Sequence, residues 1–172
     1  MGMEVIEDRV DELLGILDTL NSAKIIIGVL GDSGSYEDIS VVDVASIQEF
    51  GATIKVTDKM RGYLATQGIF LKKSTTTINI PERSFIRAGF DANKQKFMQL
   101  ENELAKVLTF ELDVDVFMNT AGEFCVGLLQ EYLTDLSSPP NSPMTIMLKK
   151  SSNPLIDTGK LRSSIDFRIE KG

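Results

Sequence analysis

The residues whose types and spacing come nearest to catalytic chemistry are those of Gly31-Asp32-Ser33-Gly34-Ser35. They directly follow an apolar run, and a serine in a turn after a buried strand is a position at which some hydrolases place a nucleophile. Such a serine needs a neighbouring base to take its proton, and histidine is the usual one. The chain contains no histidine. We therefore predict a flexible polar loop rather than a catalytic one.

Metal ligands and redox groups are equally sparse. The absence of histidine removes the commonest transition-metal ligand, and the single Cys125 excludes an internal disulfide framework or a cysteine-based zinc cluster. Glu111, Asp113 and Asp115 alternate as ligands for a hard cation would, but no glycine turn or further acidic position completes such a loop. Solvation and helix capping are the roles that we expect for them. The sequence thus predicts no enzyme, no cofactor and no metal, and its lone cysteine suits a reducing cytoplasm.

Charge is segregated in blocks along a chain whose net charge is −7. Residues 1–51 carry −9 and residues 101–136 carry −7, whereas residues 52–100 carry +6 and residues 137–172 carry +3. Two interpretations stay open: the blocks are solvated faces, or they are complementary patches that meet between subunits. In the second case the basic block docks on the acidic N-terminal block or on the 101–136 block. Its cationic residues are Lys55, Lys59, Arg61, Lys72, Lys73, Arg83 and Arg87.

The N-terminal part of the chain predicts helices around one strand. Residues 3–20 place apolar side chains at three- and four-residue steps between carboxylates, which indicates an amphipathic helix. The β-branched run over residues 23–30 predicts a strand covered on both faces or nearly so. Residues 39–50 favour a helix that Gly51 ends as a C-cap, although residues 40–42 equally allow a strand.

Two strand-like stretches flank a basic segment within residues 52–80. Alternation over residues 52–57 predicts a half-buried strand, and the β-branched run over residues 74–80 predicts a second strand that pairs with it. Thr57 or Asp58 is expected to cap a short helix between them. Residues 52–80 should therefore form a hairpin-like insertion.

The C-terminal half predicts two central helices and a final strand. One helix is expected over residues 91–109 and a second from near Asp113 to about Leu136. Gly122 and Gly127, inside the second helix, indicate either a close approach of a neighbouring backbone or simply a cost in stability. The Ser- and Pro-rich residues 137–142 form a linker.

After that linker, Ser142 and Pro143 fit the N-cap and first position of a short helix. The alternating residues 165–169 need a sheet, and the strand at residues 23–30 is the natural partner.

These elements predict one α+β domain over residues 1–172. Its small, mostly antiparallel sheet packs against an N-terminal helix and two longer central helices, with the β-rich insertion at 52–80. No apolar run approaches the ~20 residues that span a bilayer, and the acidic N-terminus lacks the basic start of a secretory signal. A soluble protein made in the cytoplasm, without a membrane partner, is therefore expected.

A proline ends the second strand of the insertion and opens a corner. Pro81 has no N–H and redirects the chain, while Phe85 and Ile86 need burial. Arg83 and Arg87 are four residues apart, so they are able to share a helical face and reach carboxylates or phosphates. We expect a structural corner that is also a contact platform, with both arginines facing a neighbouring subunit. On that hypothesis Arg83→Glu leaves the monomer folded and impairs assembly.

Three segments, taken in order and with a helical stretch between the last two, resemble a known family. They resemble the neck, tail-completion and virion-morphogenesis proteins of tailed bacteriophages, which help to join the DNA-filled head to the tail. The similarity covers roughly residues 40–51 and 80–170, and the ordered combination carries it. The segments are Gln48-Glu49-Phe50-Gly51, then Ile80-Pro81-Glu82-Arg83-Ser84-Phe85-Ile86-Arg87, then Pro154-Leu155-Ile156-Asp157-Thr158-Gly159-Lys160-Leu161-Arg162-Ser163-Ser164-Ile165.

The resemblance implies an α+β fold without catalysis, in a virion structural protein made in the bacterial host cytoplasm. It implies a homo-oligomer, which we expect to be a ring. Its partners are expected to be either portal-side head-connector proteins or tail-tube and tail-terminator proteins. DNA would pass through without tight binding. We expect an assembly interface at Lys72, Lys73, Arg83 and Arg87. The expected structural anchors are Phe50, Gly51, Pro81, Phe85, Thr158, Gly159 and Leu161.

The chain departs from the family pattern in two places. The family more often has Ala and Pro where Glu82 and Ser84 stand, and residues 52–79 form a longer insertion than many relatives carry. The insertion therefore indicates an added contact surface.

An alternative function from another class uses the same basic region. Lysines within residues 52–87, with Tyr63 and Phe70 nearby, have the composition of a surface that contacts phosphates and bases. Against a nucleic-acid-binding module stand the acidic net charge and the lack of a recognised nucleic-acid fold signature.

Overall fold

Helices and short antiparallel strands make up the structure, a computed structural model that describes residues 9–31, 33–36, 39–149 and 152–172. The α+β class predicted from the sequence is confirmed. The helices are α1 (Val10–Ser22), α2 (Val41–Phe50), α3 (Asp58–Thr66), α4 (Arg87–Ala92), α5 (Lys94–Phe97), α6 (Leu100–Leu108), α7 (Val114–Asp135), α8 (Pro143–Lys149) and α9 (Lys160–Ser163). The strands are β1 (Lys24–Val29), β2 (Ala52–Lys55), β3 (Thr77–Ile80) and β4 (Ile165–Glu170).

The first and last strands form one antiparallel pair, as the sequence predicts. In its register Lys24 lies opposite Glu170 and Val29 opposite Ile165. α7 packs across this pair. At Gly122 of that helix an added Cβ would lie 2.2 Å from the ring of Phe167, so only glycine fits the contact. The predicted approach of a neighbouring backbone is therefore wrong at both glycines, because a side chain approaches Gly122 and nothing lies within 4 Å of an added Cβ at Gly127.

β2 and β3 form a second antiparallel pair, with Ala52 opposite Ile80 and Lys55 opposite Thr77. α3 lies between them in sequence and begins where Thr57 accepts a 3.2 Å hydrogen bond from the backbone N–H of Met60. The predicted pairing and the capped helix are both confirmed. We call residues 52–80 the arm.

The ambiguous stretch before Gly51 is a helix. The Ser40 side chain accepts a 3.0 Å hydrogen bond from the backbone N–H of Asp43 and so caps α2. Gly51 ends the helix with a φ of 72°, a conformation that suits glycine. An added Cβ at Gly51 would lie 2.9 Å from Ile80 O and from the backbone nitrogen of Glu82, so this glycine also permits the approach of the corner.

The helix predicted over residues 91–109 is wrong as a single element, because α4, α5 and α6 divide this region. The Asn93 side chain is buried and donates a 2.9 Å hydrogen bond to the Gly89 carbonyl, which competes with continued helix formation. Farther on, the N–H groups of Gln99 and Glu101 bond carbonyls three residues back, which tightens the chain between α5 and α6. The predicted second helix is confirmed as α7.

One buried cluster joins segments that are far apart in sequence. It connects α2, the corner after β3, α7, the loop before α9, α9 itself and β4. Its buried members are Val41, Ala45, Phe85, Leu129, Leu133, Leu155, Leu161 and Ile165.

The helix predicted over residues 3–20 is confirmed from Val10 onward, and its first positions lie outside the described residues. No helix in the part of the chain that the structure describes is long and apolar enough to cross a membrane.

Candidate assembly interface

A buried carboxylate organises the corner. Glu49, near the end of α2, is 4% exposed. Its oxygens accept hydrogen bonds from the backbone N–H groups of Phe85 (2.8 Å), Ile86 (3.0 Å) and Arg87 (3.1 Å). Arg87 also donates from Nε to Glu49 Oε1 at 3.0 Å. The carboxylate therefore satisfies the N–H groups that precede and open α4, a role that favours negative charge.

The charge state of Glu49 follows from two opposing effects. Burial raises the pKa of its carboxyl group, but the hydrogen bonds from Ile86, Ser84 and Arg87 outweigh burial and leave that pKa below its ordinary value. Glu49 is therefore an anion that the fold stabilises.

Two further side chains of the corner, Ser84 and Glu82, belong to this network. Ser84 donates from its hydroxyl to Glu49 at 2.7 Å and accepts a 3.2 Å bond from the backbone N–H of Ala88. Glu82 forms an ion pair with Arg87 at 2.8 Å. A proline or an alanine at these positions would lack the atoms that make these bonds.

Arg83 anchors a different part of the chain. Its guanidinium donates to the carbonyls of Pro139 (2.8 Å) and Pro140 (3.1 Å), to Gln48 Oε1 (3.1 Å) and to Asn141 Oδ1 (3.3 Å). Every one of these acceptors is neutral. Arg83 thereby fixes the linker after α7 against the end of α2.

The expectation that Arg83 faces a neighbouring subunit is wrong, because the residue is 5% exposed and its donors point inward. Burial lowers the pKa of its guanidinium. Nor do the two arginines share a helical face, since Arg83 precedes α4 and Arg87 begins it. Arg87 keeps a half-exposed side chain, but the carboxylates of Glu49 and Glu82 both engage it.

The third family-like segment joins the corner through two asparagines. Asn141 donates from Nδ2 to the Asn153 carbonyl at 3.1 Å, and Asn153 accepts at Oδ1 from the backbone N–H groups of Leu155 and Ile156, each at 2.9 Å. The Asn153 amide also donates to the Thr134 carbonyl at the end of α7. These bonds seat Leu155 in the buried cluster.

The predicted anchors divide into buried and exposed residues. Phe85 and Leu161 are buried in the cluster described above. Gly159 has a φ of 79° before α9, and Thr158 is exposed with its hydroxyl 3.4 Å from the Lys160 nitrogen.

Two further anchors are exposed. Pro81 is exposed where β3 ends. Phe50 is not a buried anchor, because it is 61% exposed and its ring lies 4.7 Å below the Arg87 guanidinium.

The arm carries the remaining predicted interface residues, Lys72 and Lys73. Both are exposed, and neither ammonium group has a side-chain partner among the described residues. Arg61 holds this loop in place by donating to the carbonyls of Leu71 (3.1 Å), Lys72 (3.0 Å) and Thr75 (2.8 Å). The two lysines are thus presented by a turn that is hydrogen-bonded into the arm.

The loop of the suspected nucleophile has a structural role. The Ser33 hydroxyl donates to the Leu30 carbonyl at 2.5 Å, and Ser164 O lies 3.4 Å away. Asp32 lies outside the described residues. Within the ranges that the structure describes, no group of three or more His, Cys, Asp or Glu side chains is placed to hold a metal.

Sequence reasoning missed Glu49, Gln48 and Asn141 as the partners of the corner. A carboxylate near the end of an apolar helix, two residues before Gly51, was a usable signal for Glu49, because a buried acid needs donors. Nothing in the local pattern of Asn141 marks it, since Asn in a Ser/Pro-rich linker is ordinary.

No protein-family model, curated protein or solved structure matches the chain.

Proposed function

We propose that the protein is a non-enzymatic virion structural protein that assembles as an oligomeric ring at the head-to-tail junction of a tailed phage. The observation that supports it best is the convergence of the three family-like segments. Glu49 of the first bonds the second at residues 84–87, and Arg83 of the second bonds the linker that leads to the third. The three segments are thus linked by hydrogen bonds into one unit, which gives a reason why they occur together in one sequence.

The distribution of charge supports the proposal of a ring. The arm carries five basic residues and one acidic residue, while α1 contains three acidic residues and no basic one. Unlike surfaces on one chain form heterologous contacts, and such contacts close into rings when the rotation between neighbours allows it. Assembly should therefore be sensitive to salt.

Two measurements test this proposal. Light scattering of the purified chain should give a mass of several subunits at low salt and a smaller one at high salt. Electron microscopy of particles produced without the protein should show heads and tails that fail to join or that leak DNA. Intact, joined particles in its absence would refute the structural role at the junction.

A nucleic-acid-binding module remains the second candidate, because one specific feature of the arm favours it. Tyr63 and Phe70 are exposed on the same arm as Lys72 and Lys73, and exposed aromatic and basic side chains together suit single-stranded nucleic acid.

Filter binding at low and high salt separates the two candidates. Micromolar or tighter affinity with a steep salt slope favours nucleic-acid binding. Weak binding that the Lys72→Glu/Lys73→Glu variant leaves unchanged argues against it.

A further inference from the structure

α1 exposes an apolar stripe to solvent. Leu14 and Leu17 are 57% and 44% exposed, and Val10 continues the stripe toward the start of the helix. Residues three and four apart lie on one helical face, so these side chains form a single row. The half-buried Leu13, Ile16 and Leu20 occupy the adjacent face. α1 therefore has more apolar surface than its packing on α6 and α7 uses.

The outer edge of this stripe is acidic. Asp11 and Asp18 are seven residues apart, which places them on the same edge, and both are exposed. Neither has an ion-pair partner among the described residues, whereas Glu12 is paired with Arg9 at 2.6 Å. The surface thus combines an apolar row with two carboxylates whose charge is not compensated by a described neighbour.

The arm also combines an apolar side chain with two charged ones, but their charge is positive. Phe70 is 83% exposed, and Lys72 and Lys73 follow it in the turn that Arg61 holds. An exposed aromatic side chain with a charged rim is the usual composition of an interface centre and its edge.

We propose that the arm of one subunit docks on α1 of the next copy of the chain, with Phe70 against Leu14 and Leu17 and the two lysines facing Asp11 and Asp18. Charge complementarity selects this occupant. Charge complementarity also favours α1 over a second apolar surface, a groove of about 440 Å³ beside Phe90. Asp91 lies on the rim of that groove, but its carboxylate already pairs with Lys94 at 2.7 Å. The inference rests on the proposed ring and names the two surfaces that build it.

Charge-swapped variants test the contact directly. Lys72→Glu/Lys73→Glu and Asp11→Lys/Asp18→Lys should each weaken self-association by roughly 10- to 100-fold, because each places like charges across the interface. Mixing the two variants should restore association, since the altered arm fits the altered helix and the two unaltered surfaces fit each other. Sedimentation velocity at low salt measures the three samples side by side.

Matched controls make the same change in net charge at positions outside the proposed contact. Lys24→Glu/Arg162→Glu changes exposed cations outside the arm, and Glu123→Lys/Asp135→Lys changes exposed carboxylates on α7. Both should associate as the unaltered chain does. Loss of association in the α7 variant, with an unaffected α1 variant, would place the contact on the 101–136 block and overturn the inference.

The apolar part has its own test. Phe70→Ser and Leu14→Ser/Leu17→Ser should leave the circular dichroism spectrum unchanged and weaken association at every salt concentration. If Phe90→Ser abolishes association and these variants do not, Phe70 does not dock on α1.

Failure of the contact is distinguishable from failure of the proposed function. If the unaltered chain stays monomeric at all salt and protein concentrations, the contact is wrong, while the particle experiment still decides the role at the junction. If the chain associates but the swapped variants associate equally well, the oligomer is built from other surfaces.

Discussion

The backbone N–H of Phe85 donates a 2.8 Å hydrogen bond to the buried carboxylate of Glu49, which lies 36 residues earlier in the chain. The same carboxylate receives the next two N–H groups, so one side chain of α2 holds the start of α4. The ring of Phe85 meanwhile fills the buried cluster. The corner is thereby fixed twice, once through its backbone and once through its side chain.

Glu49→Gln should lower the free energy of unfolding by about 3 kcal/mol at pH 7, because the neutral amide accepts fewer hydrogen bonds and turns an N–H group toward other donors. Glu82→Gln is the matched control, since Glu82 also pairs with Arg87 but is exposed, and it should cost less than about 1 kcal/mol. Urea denaturation monitored by circular dichroism measures both. Equal losses would show that burial of Glu49 is not what makes it important.

The natural chain and the Glu49→Gln variant should differ in how their stability depends on pH. The pKa of Glu49 is lower in the folded chain than its ordinary value, so the unfolded chain binds the proton more readily as the pH falls. The stabilisation by Glu49 is complete above about pH 4.3, the ordinary pKa, and is lost as the pH falls through the lower folded-state pKa. The stability difference between the natural chain and Glu49→Gln should therefore shrink in acid. A difference that stays constant from pH 7 to pH 3 would contradict this assignment.

Arg83→Met should destabilise the fold by about 2–4 kcal/mol, because two backbone carbonyls and the side-chain amides of Gln48 and Asn141 lose their donor. Arg83→Glu should be worse, since it buries a carboxylate among oxygens that repel it. Lys72→Glu, at an exposed position, should change stability by less than about 0.5 kcal/mol. Thermal unfolding ranks the three variants. A fully stable Arg83→Glu monomer would restore the earlier hypothesis that this arginine faces outward.

Phe85→Ala should cost ~3–5 kcal/mol, as expected for deleting an aromatic ring from a fully buried position. Phe70→Ala removes the same ring from an exposed position and should change stability by less than about 0.5 kcal/mol. Chemical denaturation of the two variants compares them directly. A large loss at Phe70 would mean that the arm packs where the structure leaves it exposed.

Gly122→Ala should destabilise the chain by about 1–3 kcal/mol, because its methyl group would overlap the ring of Phe167. Gly127→Ala, in the same helix, meets nothing within 4 Å and should stabilise by about 0.5–1 kcal/mol through its higher helix propensity. Opposite shifts of the melting temperature are therefore expected. If the two shifts had the same sign, α7 would not pack on β4 through Gly122.

Features that depend on local patterns were predictable from the amino-acid sequence. The β-branched run of β1, the alternation of β4 and the apolar spacing of α7 each predict an element, and the antiparallel pairing of β1 with β4 follows from their need for a shared sheet. Two helix caps were also predicted correctly, since Thr57 and Ser142 accept hydrogen bonds from N–H groups three residues later. The elements and their caps rely on interactions between neighbours in sequence, so no distant partner has to be known to predict them. The pairing of β1 with β4 joins distant segments, and it was predictable because both strands need a sheet.

Which charged residues of the corner are buried depends on contacts between distant segments. Arg83 and Arg87 look alike in the sequence, yet Arg83 lies among the carbonyls of a linker more than fifty residues away, while Arg87 stays half-exposed between two carboxylates. The break at Asn93 likewise depends on a side chain that is buried only in the folded chain. Whether a polar group is buried depends on partners from distant parts of the chain, and a local sequence pattern does not predict those partners.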